Sequence, residues 1–519
     1  MEKESLFWAD QVAKEVVGSW KVGHYRTEMG IGASGIPHVG SAGDAVRSYV
    51  VSLGIKELGK KSELIAFSDD RDGLRKVPSG FPSSLEKEIG KPVSTITDPF
   101  GCHKSFALHV SSLLLDAFEK IGISFTLRRG NEEYRKGTFD KEVVEILTKW
   151  KKAGEIIKRV TGSEKFLSQL PFLPVCKSCG RVYTTRATGF DAAHKKIAYV
   201  CDQEFAGKSK GRDVLIKGCG FQGDAGIREG KLAWKVEFAA RWRALDIHYE
   251  AYGKDILESV KCNDAICKEI LGREPPVHSF YELFTERGGE KLSKSKGNVF
   301  TPQMWMRVAS PESLRLLFLK RLGTTRVVDL DSIPALMDEV DELGGVYFGD
   351  MKIKNERELA HKKRLFEYVH FLQMPEKCGF TVPYQNLVNL VASLPIKEKD
   401  AIVQETLKVG KDEEGELKKR VAYATKWAGR EKPPQVKIQL DKGEKKALMQ
   451  LSEVLKKPLS GDEVQNVIFN IAKERGLKPS HFFRLLYKII IGIDKGPRAG
   501  KLITILGREK VRQLIWKRI

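Results

Sequence analysis

The chain has 519 residues, of which 41% are hydrophobic and 30% charged, and its 89 lysines and arginines outnumber 68 aspartates and glutamates to give a net charge of +21. At roughly 150 residues per domain this length suggests about three or four domains, and the apolar content suffices for several cores and excludes a disordered chain. So basic a chain points to a polyanionic partner, nucleic acid first.

No run approaches the roughly 18–20 consecutive apolar residues of a membrane span. The longest near the C-terminus, 485–493, is broken by Tyr487-Lys488. The opening MEKESLFWADQ shows no basic segment followed by an apolar core, so a cytoplasmic protein is expected. Eight cysteines are too few for a disulfide scaffold, and their clustering points to metal.

In chain order, 24–28 reads as a strand, followed by a glycine-rich loop and a helix over 37–53. A strand over 63–68 ends in an acidic loop. A helix is expected over 103–121 and a strand over 123–127. Strand and helix in alternation predict an α/β fold with a parallel, doubly wound sheet. The stretch 172–232 carries cysteines, glycines and basic residues with little periodicity, and reads as a small insertion built around metal rather than a core. Beyond about 330 the strand signal fades and the chain reads as α-helical. Ser460 and Glu463 form a capping-box pair, Gly476 is the expected stop, and Ser480 is the expected cap of the next helix. The charge run 411–420 reads as a solvated helix face. No internal repeat of fixed period occurs.

Two constellations carry chemistry. The first is Gly30-Ile31-Gly32-Ala33-Ser34-Gly35-Ile36-Pro37-His38-Val39-Gly40-Ser41, where a strand feeds a glycine-rich loop that opens a helix. Glycines admit a ligand close to the backbone, and a helix start offers N–H groups to a phosphate. Alone, the segment reads equally as an ordinary strand-to-helix turn. The second is Lys291-Leu292-Ser293-Lys294-Ser295-Lys296-Gly297-Asn298, preceded by Gly288 and Gly289. Such a loop can close over a triphosphate and neutralise charge as pyrophosphate leaves.

In this order the pair resembles the HIGH and KMSKS signatures of class I aminoacyl-tRNA synthetases. Further strings resemble the class I lysyl-tRNA synthetases of archaea and some bacteria. They are Trp8-Ala9-Asp10, the run from Asp69 to Pro78, Asp98-Pro99-Phe100-Gly101-Cys102-His103, Leu232-Ala233-Trp234, Ala240-Arg241-Trp242, Tyr252-Gly253-Lys254-Asp255 and, more weakly, Gly496-Pro497-Arg498. Two positions depart from the family pattern. Ser41 replaces the last histidine of the first signature, and Ile256 stands where the family usually has histidine.

The resemblance implies a Rossmann-type catalytic domain with zinc-bearing insertions, followed by an all-α anticodon-binding domain. The catalytic domain would run over 1–171, with a zinc-bearing segment near 98–109, and resume over 233–330. The zinc-binding insertion would be 172–232, and the stem-contact and anticodon-binding region 331–519. Substrates would be ATP with Mg2+, L-lysine and tRNA(Lys), joined through a lysyl-adenylate. Carried onto this sequence, ATP falls to Gly35, His38, Gly40 and Ser41 and to Lys291, Ser293, Lys294 and Ser295. His38, Lys291 and Lys294 are the catalytic groups. Lysine falls to Gly30, Gly32, Trp234 and Tyr281, whose aromatic faces can hold an ammonium. Asp69 and Asp70 either orient substrate or cap the next element.

Asp98-x3-Cys102-His103-x5-His109 offers one carboxylate, one thiolate and two imidazoles, a set that suits tetrahedral zinc. From spacing alone a buried cysteine beside ordinary histidines is the alternative, and the resemblance adds a zinc here. Cys176-x2-Cys179, followed by Gly180, has the form of a zinc knuckle. Its partners would be Cys201 and Cys219, although 17 residues separate them. Cys262, Cys267 and Cys378 read as core or surface thiols. Three other readings stay open: a glutamyl-type synthetase, a synthetase-like RNA-binding protein without activity (which Ile256 would motivate), and a zinc-ribbon nucleic-acid-binding protein. If the second loop steadies pyrophosphate, Lys294→Ala lowers the rate of tRNA charging by about a hundredfold or more; a near-normal rate contradicts that role.

Overall fold

The computed structural model describes residues 7–33, 35–282, 284–285, 300–320, 322–377, 382–393, 414–429, 440–491 and 498–519. Ser34, residues 286–299 with Lys291, Ser293, Lys294 and Ser295, residues 411–413 of the charge run, Cys378 and Gly496-Pro497 therefore lie outside the described residues. The chain divides into two compact units. The first comprises Met1–Gln303, Leu314–Leu330 and Ile353–Met374, and the second Met304–Ser313, Asp331–Lys352 and Pro375–Ile519.

The first unit opens with α1 (Trp8–Ser19), β1 (His24–Ile31), α2 (Gly43–Glu57), β2 (Lys61–Ser68), α3 (Phe106–Ile121), β3 (Thr126–Arg129) and α4 (Gly130–Lys136). Then come α5 (Asp140–Thr148), α6 (Trp150–Thr161) and seven short strands: β4 (Phe172–Pro174), β5 (Arg186–Asp191), β6 (Lys196–Val200), β7 (Glu204–Ser209), β8 (Arg212–Lys217), β9 (Gln222–Gly226) and β10 (Gly230–Leu232). The unit continues with α7 (Trp234–Ala244), β11 (Tyr249–Gly253), α8 (Leu257–Glu269) and β12 (Val277–Tyr281).

The expected parallel sheet is present, with strand order β12-β11-β1-β2-β3 and every pairing parallel. β1 lies at the centre and pairs with β2 over its whole length, His24 opposite Lys61 through Ile31 opposite Ser68. Burial on both faces explains why β11 is buried at all five positions, with no polar–apolar alternation. The chain winds outward from β1 to β3, then returns on the other side of β1 to form β11. In such a sheet the crevice for ligands opens at the carboxyl ends of the two strands where the winding reverses.

Local boundaries differ from the sequence reading where caps intervene. The helix expected from 103 begins at Phe106, because Ser105 is its cap and its Oγ accepts from Leu108 N at 3.3 Å. The helix expected from 37 begins at Gly43, after a short 3-10 turn, Val39–Ala42, that follows His38. The strand expected over 123–127 lies at Thr126–Arg129.

The stretch 172–232 is not irregular. It contains an antiparallel sheet, β5-β6-β9, and a hairpin, β7-β8. Apolar side chains do alternate there, with Ile197 and Tyr199 buried and Lys196 and Ala198 exposed. The hairpin turns at Lys210-Gly211, both with positive φ, +48° and +79°, as a tight two-residue turn requires. Phe205, Val214 and Ile216 of the hairpin pack against the core formed by Leu74, Ile89 and their neighbours.

The second unit is helical. The capping box of Ser460 and Glu463 forms as expected, and Gly476, with φ +69°, follows the helix Gly461–Glu474. Ser480 is not a cap, since the next helix spans Pro479–Ile491 and proline takes its first position. Arg420 does not lie on a solvated face. It is buried and donates from Nη1 to Asp341 Oδ2 at 2.6 Å. Among the described residues no helix is long and apolar enough to cross a membrane.

Candidate active site and metal centres

A cavity of about 310 Å³ lies at the reversal point. Gly30 and Gly32 line it from the end of β1, Gly253 from the end of β11 and Tyr281 from the end of β12. His38, Gly40, Ser41 and Asp44 enter from the glycine-rich loop and the start of α2, and Trp234 from the start of α7. Asp255, Ile256 and Phe284 complete one side. The structure thus gathers seven residues assigned from sequence to lysine or ATP. Gly35 is not among the lining residues.

The cavity wall has a distinct electrostatic character. Its described lining contains two carboxylates, Asp44 and Asp255, three aromatic rings, and neither lysine nor arginine. Tyr281 has the Arg47 guanidinium stacked on one face, 3.8 Å from the ring centre. That leaves Trp234 as the more available face for a second cation.

Trp234 is fixed by its indole N–H, which donates to Asp72 at 3.1 and 3.2 Å. Asp72 also receives the buried Lys231 ammonium, which forms an ion pair with Glu237 at 2.6 Å. Helical spacing explains the grouping: Trp234, Glu237, Phe238 and Arg241 recur every three or four residues and share a face of α7.

Beneath the cavity floor Arg241, 2% exposed, forms an ion pair with Glu28, its Nε 2.5 Å from the carboxylate. It reaches Asp69 Oδ1 at 3.1 Å and Glu250 at 3.4 Å. One guanidinium on α7 therefore joins β1, β11 and the residue that follows β2. Asp69 lies against Gly30, where an added Cβ would stand 3.7 Å from Asp69 Oδ2. Five carboxyl groups share two cations here. Burial drives Asp69 up to about 7, against the pull of Arg241. Burial opposes the charge on Lys231, yet Asp72 and Glu237 outweigh it and raise Lys231 above the usual lysine range. Asp70 faces elsewhere, its Oδ1 accepting from Asn131 N at 2.6 Å. That bond is to the first turn of α4, not to the next element of the chain. The sequence reading missed Asp44, Asp72, Lys231 and Glu237. Lys231 lies in β10 and Glu237 in the first turn of α7, and they meet only through the fold.

Both predicted metal clusters assemble, each with its four ligand atoms within 4.8 Å of one another. In the first, Cys102 Sγ lies 3.1 Å from His103 Nδ1 and from His109 Nδ1, and 3.2 Å from Asp98 Oδ2. Metal bonds of about 2.0–2.3 Å set tetrahedral ligand contacts near these values. His103 sits in the bend before α3 and His109 in its first turn, so they converge across the helix cap rather than along a helix face. In the second, Cys176 and Cys219 sulfurs are 3.7 Å apart and those of Cys179 and Cys201 3.8 Å. The 17-residue spacing is resolved by the β7-β8 hairpin, which returns the chain to its starting point. Gly218 makes this possible, since a Cβ there would lie 2.3 Å from the Cys201 carbonyl oxygen. Cys262 and Cys267 are buried thiols.

Residues 6–372 match the family model described as tRNA synthetases class I (K). The chain belongs to that family. Residues 430–518 match an anticodon binding domain. A lysine–tRNA ligase of Cenarchaeum symbiosum is 41% identical over 99% of this chain and 98% of its own length. One of Archaeoglobus fulgidus is 29% identical over 98% of this chain and 99% of its own. A solved glutamate-tRNA synthetase of Elizabethkingia anophelis is 14% identical, spans 96% of this chain and 99% of its own, and has a TM-score of 0.42.

A group whose folded pKa is raised favours folding at low pH and loses that contribution as pH climbs through the folded value. Asp69 therefore contributes stability below about pH 4 that is lost by about pH 7. In denaturant titrations across this range, Asp69→Asn removes the corresponding downward step seen in the unaltered protein. An unchanged pH profile contradicts the burial of a protonatable Asp69.

Proposed function

We infer that this synthetase activates L-lysine with ATP and transfers it to tRNA(Lys), releasing AMP and pyrophosphate. The observation that carries the amino-acid choice is the cavity wall, with two carboxylates, aromatic rings and no arginine or lysine among its described residues. A pocket for glutamate would need a cation to meet the second carboxylate, in the way arginine meets carboxylates. A lysine ammonium instead gains from the acidic wall and from the face of Trp234, worth about 0.5–2 kcal/mol when desolvated.

The chemistry requires no covalent bond to the protein. The lysine carboxylate attacks the α-phosphorus of ATP, pyrophosphate leaves, and the terminal ribose hydroxyl of tRNA then displaces AMP. The protein's contribution is to hold the reactants together and to meet developing charge. Gly30 and Gly32 allow the amino acid against the backbone at the end of β1. Gly35, His38, Gly40 and Ser41 face the nucleotide, with His38 donating to a phosphoryl oxygen. Lys291 and Lys294, with Ser293 and Ser295, neutralise the departing pyrophosphate. Magnesium accompanies ATP and offsets the charge of its phosphates. Ile256 gives this pocket an apolar wall where relatives have an imidazole.

Catalysis occupies 1–171 and 233–330, and 331–519 reads the tRNA, all in the cytoplasm. Two structural zinc ions complete the account: Asp98, Cys102, His103 and His109 hold one, and Cys176, Cys179, Cys201 and Cys219 the other. Each would fix a loop that has little core of its own.

Two measurements check these assignments. Charging of total archaeal tRNA with each of the twenty labelled amino acids is expected to give lysine alone; charging with glutamate, or with nothing while tRNA still binds, contradicts the assignment. Elemental analysis is expected to give about two zinc ions per chain, and about one in Cys179→Ser, with a lower melting temperature. A metal content unchanged by that substitution contradicts the second centre.

A further inference from the structure

A second cavity, of about 420 Å³, opens between the turn after β2, α4 and the Cys176–Cys179 loop. Four cations line it, Arg71, Arg135, Lys177 and Arg228, against one carboxylate, Glu229. Their partners differ. Arg228 is committed to Asp140, with Nε at 3.0 Å and Nη2 at 2.6 Å. Lys177 meets Glu229 only loosely, at 3.5 Å with both side chains half exposed. Arg71 is held by carbonyls: its Nη1 donates to Arg228 O at 2.7 Å and Gly230 O at 3.1 Å. Those bonds fix the guanidinium without neutralising it. Arg135 is exposed and has no ion pair among the described residues.

The cavity and the amino-acid pocket lie on opposite sides of one short turn. Asp69 meets Arg241 under the pocket, Arg71 lines the basic cavity, and Asp72 returns to hold Trp234. An anion at Arg71 and Arg135 is therefore one turn of chain from the indole that lines the lysine site. The described lining of the pocket itself offers neither lysine nor arginine to a tRNA phosphate. A polyanion that must deliver its terminal ribose into that pocket needs cations just outside, and this cavity supplies them on rigid elements. It carries no aromatic ring, so it suits phosphate and sugar rather than stacked bases.

We propose that this cavity binds backbone phosphates of the single-stranded 3′ end of the tRNA, with Arg71 and Arg135 as the principal contacts and Lys177 at the rim. The proposal rests on the aminoacylation reading above. Paired forks of Arg71 and Arg135 on successive phosphates would set how far the terminal ribose reaches toward the adenylate.

The test uses the full chain with Arg135→Ala, Lys177→Ala and the double substitution, since Arg71 also supports the fold. Steady-state charging is expected to show KM for tRNA raised about tenfold in the double variant, with KM for lysine and ATP unchanged. Equilibrium tRNA binding across a salt series should lose roughly 1.4 from the slope of log affinity against log salt, about 0.7 for each lost contact to a single strand. With tRNA trimmed of its unpaired 3′ nucleotides, the unaltered and double-variant proteins should bind alike. An unaltered KM and salt slope overturns the proposal. So does an equal loss with trimmed tRNA, which would place the contacts on duplex phosphates. Failure of the unaltered protein to charge lysine would count against the function reading alone, because the comparison of intact with trimmed tRNA still decides the site.

Discussion

A guanidinium buried against a parallel sheet must find its counter-charges there, and Arg241 finds them on Glu28, Asp69 and Glu250. Glu28 lies within β1 opposite Glu250 of β11, and Asp69 directly follows β2; β1 and β11 flank the point where the winding reverses. The ligand crevice of such a sheet opens at that point, and the ion cluster lies beneath it, with Asp69 against the lining residue Gly30. Removing one partner of a buried pair typically costs about 3–5 kcal/mol, because the other charge remains without water. Replacing the whole set with apolar residues could be neutral for stability. The cluster is thus better explained by what it does to the site than by what it adds to the fold.

What it does is set the sign of the site. Together with Asp72, Lys231 and Glu237 it places five carboxyl groups against two cations directly below and beside the pocket. Burial drives some of these carboxyls to hold protons near neutral pH, as the Asp69 value of about 7 shows. A cationic substrate relieves that stress, whereas an anionic one would deepen the need for cations that the described wall lacks. The aromatic wall follows the same logic. Asp72 fixes the Trp234 ring by its N–H, and Arg47 occupies one face of Tyr281. Negative pocket and positive cavity stand side by side, as a reaction between an ammonium-bearing amino acid and a polyanion requires.

Much of this was legible in the sequence because its determinants are local. The glycine loop and the short ligand spacings of both metal clusters depend on residues near one another in the chain. The capping box of Ser460 and Glu463 needs only four residues. The rest depends on tertiary structure. Nothing local indicates that Arg241 would be buried among three acids drawn from 28, 69 and 250. Arg420, read as solvated, is likewise paired with a distant Asp341. The hairpin between Cys201 and Cys219 was hidden for a different reason. Its alternation is short, its apolar residues are few, and its core partners, Leu74 and Ile89, lie more than a hundred residues upstream. Ser480 misled because proline preceded it and took the helix start.

The central claim is that the pocket selects its amino acid by the charge of the side-chain terminus. Calorimetric titration with lysine and with norleucine, in the presence of tRNA and a non-hydrolysable ATP analogue, tests it most directly. Norleucine has the same straight carbon chain and ends in a methyl group instead of the ammonium. The account predicts that lysine binds at least tenfold more tightly, a difference of about 1.4 kcal/mol or more. Equal affinities would show that shape and apolar contact decide the choice, and that the buried carboxylates serve only the fold.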